Sequence, residues 1–214
     1  MKKKKFIPHP KKWAPRFDYI EKTTSLRDIV ISGGDTYLLE PEQVQYIGDR
    51  LLDMPHIRRF RFASKGLGVS PSRLLDPNDG WVETVIGLDK RARQAGKHIC
   101  IHTHINHPNE ITWVTRRGAQ RLYEAGVTVR NQSVLLNGVN NTLDTMSELV
   151  HALGDINIQP VSSRLSPPLF SLLFSPSPSP LSPFSLPRPT PNPQTNPFPP
   201  TPVLRLPRRP SPRR

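Results

Sequence analysis

The sequence predicts an α/β fold on a parallel sheet, and three observations predict it. Five short apolar runs alternate with four stretches of helical spacing. Glycine or proline stands at almost every boundary between them. The pattern is confined to residues 13–160, close to the size of one domain. Strands alternating with helices imply parallel pairing through right-handed crossovers, in a barrel or in an open doubly wound sheet.

Asp28-Ile-Val-Ile31 reads as a buried strand stopped by the glycine turn Ser32-Gly33-Gly34-Asp35. Pro41 opens a helical pattern (Val44, Ile47, Leu51, Leu52) that closes before Pro55. Ile57 to Ala63 is the second strand, and a loop with Gly66, Gly68, Pro71 and Pro77 follows it. Trp81, Val85, Leu88 and Ala92 place a helix over Gly80 to Ala95, with Gly96 as its stop. His98 to His104 is the third strand, Glu110 to Ala125 a helix ended by Gly126, and Val127 to Leu136 the fourth strand. Thr142 to Leu153 is the last helix, and Ile156-Asn-Ile158 begins the fifth strand.

Composition limits what surrounds this body. The chain of 214 residues carries 30 Lys+Arg against 17 Asp+Glu, a formal charge of +13. Residues 1–12 hold six lysines and no acid, and residues 161–214 hold seven arginines and no acid. Residues 13–160 are therefore neutral, with 17 basic and 17 acidic side chains, so the excess charge lies wholly in the flanks. Three segments are expected: a basic start (1–12), the α/β body (13–160) and a disordered Pro/Ser/Arg-rich tail (161–214). The tail holds 17 of the 26 prolines and no glycine, and it is expected to form neither regular helix nor sheet. It reads either as translated pyrimidine-rich sequence or as a proline-rich docking segment.

One cysteine, Cys100, excludes a disulfide framework and a thiolate-only metal site supplied by this chain. No apolar segment follows the basic start, and no apolar run approaches the roughly 18 residues that cross a bilayer. A soluble, cytoplasmic protein with no membrane partner is expected.

Polar residues collect where the strands end: Ser32 to Asp35, Ser64-Lys65, His102 to Asn109 and Asn131-Gln132. Parallel α/β folds place their sites at that edge. No GxGxxG or GxxxxGKS/T turn is present, which disfavours the nucleotide-binding open sheets. In strand geometry His98, Cys100, His102 and His104 share one face, and Ile99, Ile101 and Thr103 share the other. His102-x-His104 also has the form of the metal anchor of barrel hydrolases, without a matching Asp or Glu on a later strand. Arg59 and Arg61 share a strand face and are expected in ion pairs. A basic binder of nucleic acid, using Lys2 to Lys5 and the arginine tail, is a third possibility, though no aromatic interleaving or groove-reading helix supports it.

Taken in order, the segments DIVISGGD (28–35), MPHIRRFRFASKG (54–66), HTHINHPNEIT (102–112), AGVTVRNQSVLLNGVN (125–140) and INIQP (156–160) closely resemble lysine 2,3-aminomutase, a radical S-adenosylmethionine enzyme family. FDYIEKT (17–23) is similar to that family's linker into the barrel. The resemblance implies a partial parallel (β/α) barrel. It also implies an isomerase that uses a 4Fe-4S cluster, S-adenosylmethionine and pyridoxal phosphate to move an amino group from C2 to C3 of a small amino-acid substrate, lysine. By the same resemblance Ser32, Gly33, Gly34, Asp35, Ser64, Lys65, His104 and Gln132 are cofactor-binding residues, and no nucleic-acid partner is expected. The family's CxxxCxxC cluster loop and its imine-forming lysine have no counterpart here, so no catalytic lysine and no metal ligand is assigned, and these 214 residues are expected to be an incomplete, inactive form. Smaller departures are Ile105 for the usual Phe, Lys65 for the usual Arg, and Asn137 and Asn141 for the usual Arg and Asp. With the family's substrate-gripping aspartates also lacking, lysine, glutamate and protein-bound lysine all stay open as the substrate.

Overall fold

The structure, a computed structural model, describes residues 13–164 and 203–205. Helix α1 (Ala14–Lys22) leads into strand β1 (Asp28–Ser32), helix α2 (Pro41–Asp53), strand β2 (Arg59–Ala63) and the short helix α3 (Gly66–Val69). Helix α4 (Trp81–Gln94), strand β3 (His98–Thr103), helix α5 (Trp113–Glu124), strand β4 (Thr128–Val134), helix α6 (Leu143–Gly154) and strands β5 (Gln159–Arg164) and β6 (Val203–Arg205) follow. Every pairing in the sheet is parallel, in the order β5-β4-β3-β2-β1-β6. From β1 to β5 each strand adds on the same side as the one before. That leaves no switch point, so the sheet grows as a barrel does and not as a doubly wound sheet does.

Strand alternation sorts the side chains into two faces. Ile29 and Ile31, Phe60 and Phe62, Ile99 and Ile101, and Val129 are buried under the helices. Asp28, Arg59, Arg61, His98, Cys100, His102, Arg130 and Gln132 lie on the opposite, inner face. The helices present matching stripes. In α2 it is Val44, Ile47 and Leu51, behind a capping box in which the Glu40 amide donates to Gln43 Oε1 at 3.0 Å. In α4 it is Trp81, Val85, Leu88 and Ala92, packed against α2. Lys97 closes the far end of α2, its Nζ donating to the carbonyls of Leu52 (2.6 Å) and Met54 (2.7 Å). Burial and the Arg58 charge hold the Lys97 ammonium below its usual pKa, partly offset by Asp53.

The structure departs from the sequence-based expectations in several places, the first being that the expected loop after the second strand contains helix α3. Helix α1 occupies most of what resembled a linker: Pro15 starts it, and Phe17 and Ile20 bury themselves beside Trp13. The third strand ends at Thr103, one residue short of the expected end at His104. Asn131 and Gln132 lie inside β4 and not beyond its end. The fifth strand begins at Gln159, after Asn157 turns the chain with φ of 59°, and runs through the expected boundary at 160 as far as Arg164. Sheet pairing was not expected beyond that boundary at all, yet Val203 and Leu204 also pair with Val30 and Ile31. Backbone hydrogen bonding asks nothing of side-chain composition, and neither stretch needs a proline N–H at its paired positions. The expected basic start, with Lys2 to Lys5, lies outside the described residues.

Candidate functional site

The carboxyl edge of the sheet is tied together by backbone-directed side chains. After Ser32 the chain turns through Gly33 (φ 108°) and Gly34 (φ 155°), positions that favour glycine. A Cβ on Gly34 would meet no atom within 4 Å, so this turn faces open space. Asp35 stitches the turn to the next strand: Oδ1 accepts from the Tyr37 amide and Oδ2 from the Lys65 amide, both at 2.9 Å. Thr36 Oγ1 adds a bond to the Ala63 carbonyl at 2.9 Å. Ser64 is buried, and its Oγ accepts from the Gly66 amide at 2.8 Å. The ring of Tyr37 lies against Gly66, where any Cβ would collide with it. Burial raises the Tyr37 phenol well above its usual pKa, against the opposing charge of Arg73, and its hydroxyl donates to the Ser70 carbonyl at 2.9 Å.

The loop after β3 is held by a buried amide network. Asn131 Oδ1 accepts from the Ile105 amide at 2.7 Å, and its Nδ2 donates to the Ile105 carbonyl and to Ser133 Oγ. Asn140 Nδ2 donates to the Asn106 and Val134 carbonyls, and Asn106 Oδ1 accepts from the Val134 amide at 2.9 Å. Glu110 Oε1 accepts from the amides of Asn106 and His107, while its other oxygen lies 3.8 Å from Lys65 Nζ. Asn106 Nδ2 is 3.3 Å from His104 Nε2 and fixes that ring.

The eight residues expected at the site thus divide by environment. Ser32, Gly33, Gly34, His104 and Gln132 line the edge with partly exposed surface, and Lys65 stands there paired with Glu110. Asp35 and Ser64 spend their side-chain oxygens on the fold itself. Asn106, Asn140, Glu110 and Tyr37 hold the edge in place and were not singled out from the sequence. The repeated amides of INHPNE and NGVNN are the signal that could have found Asn106, Glu110 and Asn140; nothing in the local sequence marks Tyr37. Asn137 and Asn141, two departures from the family pattern, are partners here: Asn141 Nδ2 donates to Asn137 Oδ1 at 3.0 Å.

On the inner face, Arg59 and Arg61 share Asp28, at 3.6 and 3.3 Å. Burial, then the charges of Arg61 and Arg130, lower the pKa of His102; burial, then Arg130 and Arg59, lower that of His98. Cys100 is buried, and burial pushes its thiol up to about 11, the opposite of a metal-ready thiolate. His102 and His104 occupy different surroundings, one on the inner face and one at Asn106. Among the described residues no three His, Cys, Asp or Glu side chains converge on a possible metal position. No described helix is long and apolar enough to cross a membrane.

A parallel α/β sheet with barrel-type growth, carrying an open glycine turn and polar side chains at its carboxyl edge, defines a barrel-type enzyme domain. Comparison with known proteins makes the relationship specific. The chain is 38% identical over 143 residues to the L-lysine 2,3-aminomutase of Clostridium subterminale, covering 67% of this chain and 32% of that protein. It is 32% identical over 143 residues to the glutamate 2,3-aminomutase of Clostridioides difficile, covering 67% and 31%, and 30% identical over 148 residues to the L-lysine 2,3-aminomutase of Escherichia coli, covering 69% and 40%. Over that segment the chain belongs to the lysine 2,3-aminomutase family. It spans about a third of the length of these relatives. No protein-family model matches it. Among solved structures, Streptococcus suis SuiB bound to S-adenosylmethionine is similar at 11% identity and a TM-score of 0.35, covering 77% of this chain and 46% of that one, too distant to carry an argument.

Proposed function

We propose that this chain is the cofactor-holding part of a radical S-adenosylmethionine aminomutase acting on a small amino acid. Ser32, Gly33 and Gly34 receive the amino-acid end of S-adenosylmethionine, and His104, just past β3, and Gln132, on β4, make polar contacts to it. The observation that carries this is the open glycine turn, whose backbone a ligand can approach because nothing stands within 4 Å of a Cβ on Gly34. Asp35, Ser64 and Asn106 act as positioning residues: the oxygens of Asp35 and Ser64 hold the turn and the end of β2, and the amide Nδ2 of Asn106 holds the His104 ring. When bound, S-adenosylmethionine supplies the one-electron chemistry that starts the amino-group migration.

The residues present do not fit the cluster that feeds this chemistry. Its ligands are thiolates, and the one cysteine here is buried with a raised pKa. Of the four described lysines, Lys97 is spent on two carbonyls and Lys65 on Glu110, while Lys22 and Lys90 lie on helices α1 and α4 away from the carboxyl edge, so none is assigned to pyridoxal phosphate. The relatives' names include both lysine and glutamate enzymes, so the substrate class is an α-amino acid.

Calorimetric titration of the purified chain with S-adenosylmethionine tests this. Saturable binding is expected, weakened about tenfold or more by Gly34→Val and by Gln132→Ala, with the Gln132→Ala variant melting like the parent. No binding, or binding indifferent to both changes, sinks the proposal. In the same samples, iron and sulfide should give no 4Fe-4S absorption near full occupancy.

A further inference from the structure

We propose that Arg73, far from the glycine turn in sequence, is a positioning residue that holds this turn in the form that receives its ligand. The proposal rests on the assignment of Ser32, Gly33 and Gly34 to S-adenosylmethionine, and it adds a part of the chain which that assignment does not contain.

A turn built on two glycines does not hold its own shape. Gly33 and Gly34 have positive φ and no side chain to restrict them, so what grips the chain on either side sets their conformation. Upstream, Ile31 and Ser32 are fixed in β1. Downstream, Asp35 caps a single 3-10 turn, Thr36–Leu38, and the carbonyls there run into one cluster. The Thr36 carbonyl accepts from Trp81 Nε1 at 3.3 Å. The Tyr37 carbonyl accepts from Arg73 Nη1, and the Leu39 carbonyl from Arg73 Nη2 at 3.2 Å.

Arg73 itself stands in a second 3-10 turn, Pro71–Leu75, on the loop after α3. Its guanidinium carbon lies 5.3 Å from the centroid of the Tyr37 ring and 5.9 Å from that of Trp81, and the two rings meet edge to face at 5.0 Å. Its Nε donates to Asp79 Oδ2 at 2.5 Å, and Asp79 Oδ1 accepts the Trp81 amide at 2.9 Å, which fixes the start of α4. Burial works to raise the Asp79 pKa, but the Arg73 hydrogen bond and the Trp81 amide outweigh it and hold the carboxyl below its usual value. One guanidinium therefore joins three stretches of chain: the far side of the glycine turn, its own loop and the entry to α4. A lysine offers the same charge without the planar fork that meets these three acceptors together.

Among the described residues the bonds of Arg73 go to Tyr37, Leu39 and Asp79 and not to Ser32, Gly33 or Gly34. It acts through Tyr37, whose amide donates to Asp35 Oδ1, beside Gly34. Asp35 Oδ2 passes the same constraint to the Lys65 amide at the end of β2.

The test reads the turn in the full chain, first without ligand. At a temperature where every variant is folded by circular dichroism, Arg73→Lys should shift or broaden the Gly33 and Gly34 amide NMR signals and speed hydrogen exchange at the Tyr37 amide. Calorimetry should show S-adenosylmethionine binding weakened about tenfold. Leu153→Ala, which empties part of the core beneath α6, should lower stability and leave those signals and that affinity as in the parent. In Arg73→Ala, added methylguanidinium should restore both, because it can refill the slot between the Tyr37 and Trp81 rings. Unmoved glycine signals in Arg73→Lys, equal movement in Leu153→Ala, or parent-like affinity in Arg73→Lys would overturn the proposal. A parent that binds no S-adenosylmethionine would instead sink the assignment of the turn, and the ligand-free signals would still decide whether Arg73 sets its shape.

Discussion

The two faces of this one sheet are built by opposite means. On the helix side β1 to β4 contribute aliphatic or aromatic side chains, and the layer from Ile29 through Phe60 to Ile99, with that from Ile31 through Phe62 and Ile101 to Val129, is buried. On the inner side the same strands, offset by one residue, contribute arginines, histidines and an aspartate. The helix side takes its stability from apolar area removed from water, about 25 cal/mol per Å². The inner side takes little from its ion pairs, because Arg59 is more than half exposed, and its groups are left imperfectly paired. One face holds the fold and the other is available for ligands.

The sharpest break of that contrast comes from the helix side. Phe62→Ala removes a fully buried ring, in edge contact with Phe60 at 5.9 Å between centroids. It should cost about 3–5 kcal/mol, read from urea unfolding. Acid should then act on the inner side. Folding depresses the pKa values of His98 and His102, so the unfolded chain takes up protons first as pH falls. Their contribution is fully present above about pH 6.5 and is lost as pH drops below it toward the folded values. Urea unfolding at pH 8 and pH 5 should show a smaller difference for His102→Gln than for the parent. A loss unchanged by the substitution would assign the acid sensitivity elsewhere. A smaller effect is expected from Asp28→Asn, which removes the charge of both inner-face ion pairs but keeps an acceptor beside Arg61, and should cost about 1–2 kcal/mol. A cost as large as that of Phe62→Ala would erase the distinction between the faces.

Much of this was legible in the sequence because side-chain alternation is a local property. DIVIS, RFRFA and HICIHT each display their two faces within five or six residues, and Gly96 and Gly126, both at positive φ, mark the helix stops read from the sequence. Helix α1 was not legible: two buried residues three apart, Phe17 and Ile20, are too short a stripe to count as a period. Nor could the sequence separate Asp35 and Ser64 from Gly34 and Gln132. All four sit in polar clusters toward the carboxyl edge of the sheet, and only their partners distinguish them. The Asp35 carboxylate is spent on an amide 30 residues away, and Asn131 on a loop 26 residues away.

By itself, then, the sequence determined the alternation of β1 to β5 with their four long helices, the inward and outward faces of β1 to β3, and the family to which the segment belongs, since those are written in local spacing and in contiguous motifs. Tertiary structure alone decided that β3 stops before His104, that β5 continues to Arg164, and that Arg61 and Arg130 flank the same cysteine. Strand ends and cross-strand neighbours are set by hydrogen bonds between residues 26 to 40 positions apart, and no local pattern encodes which partner will be there.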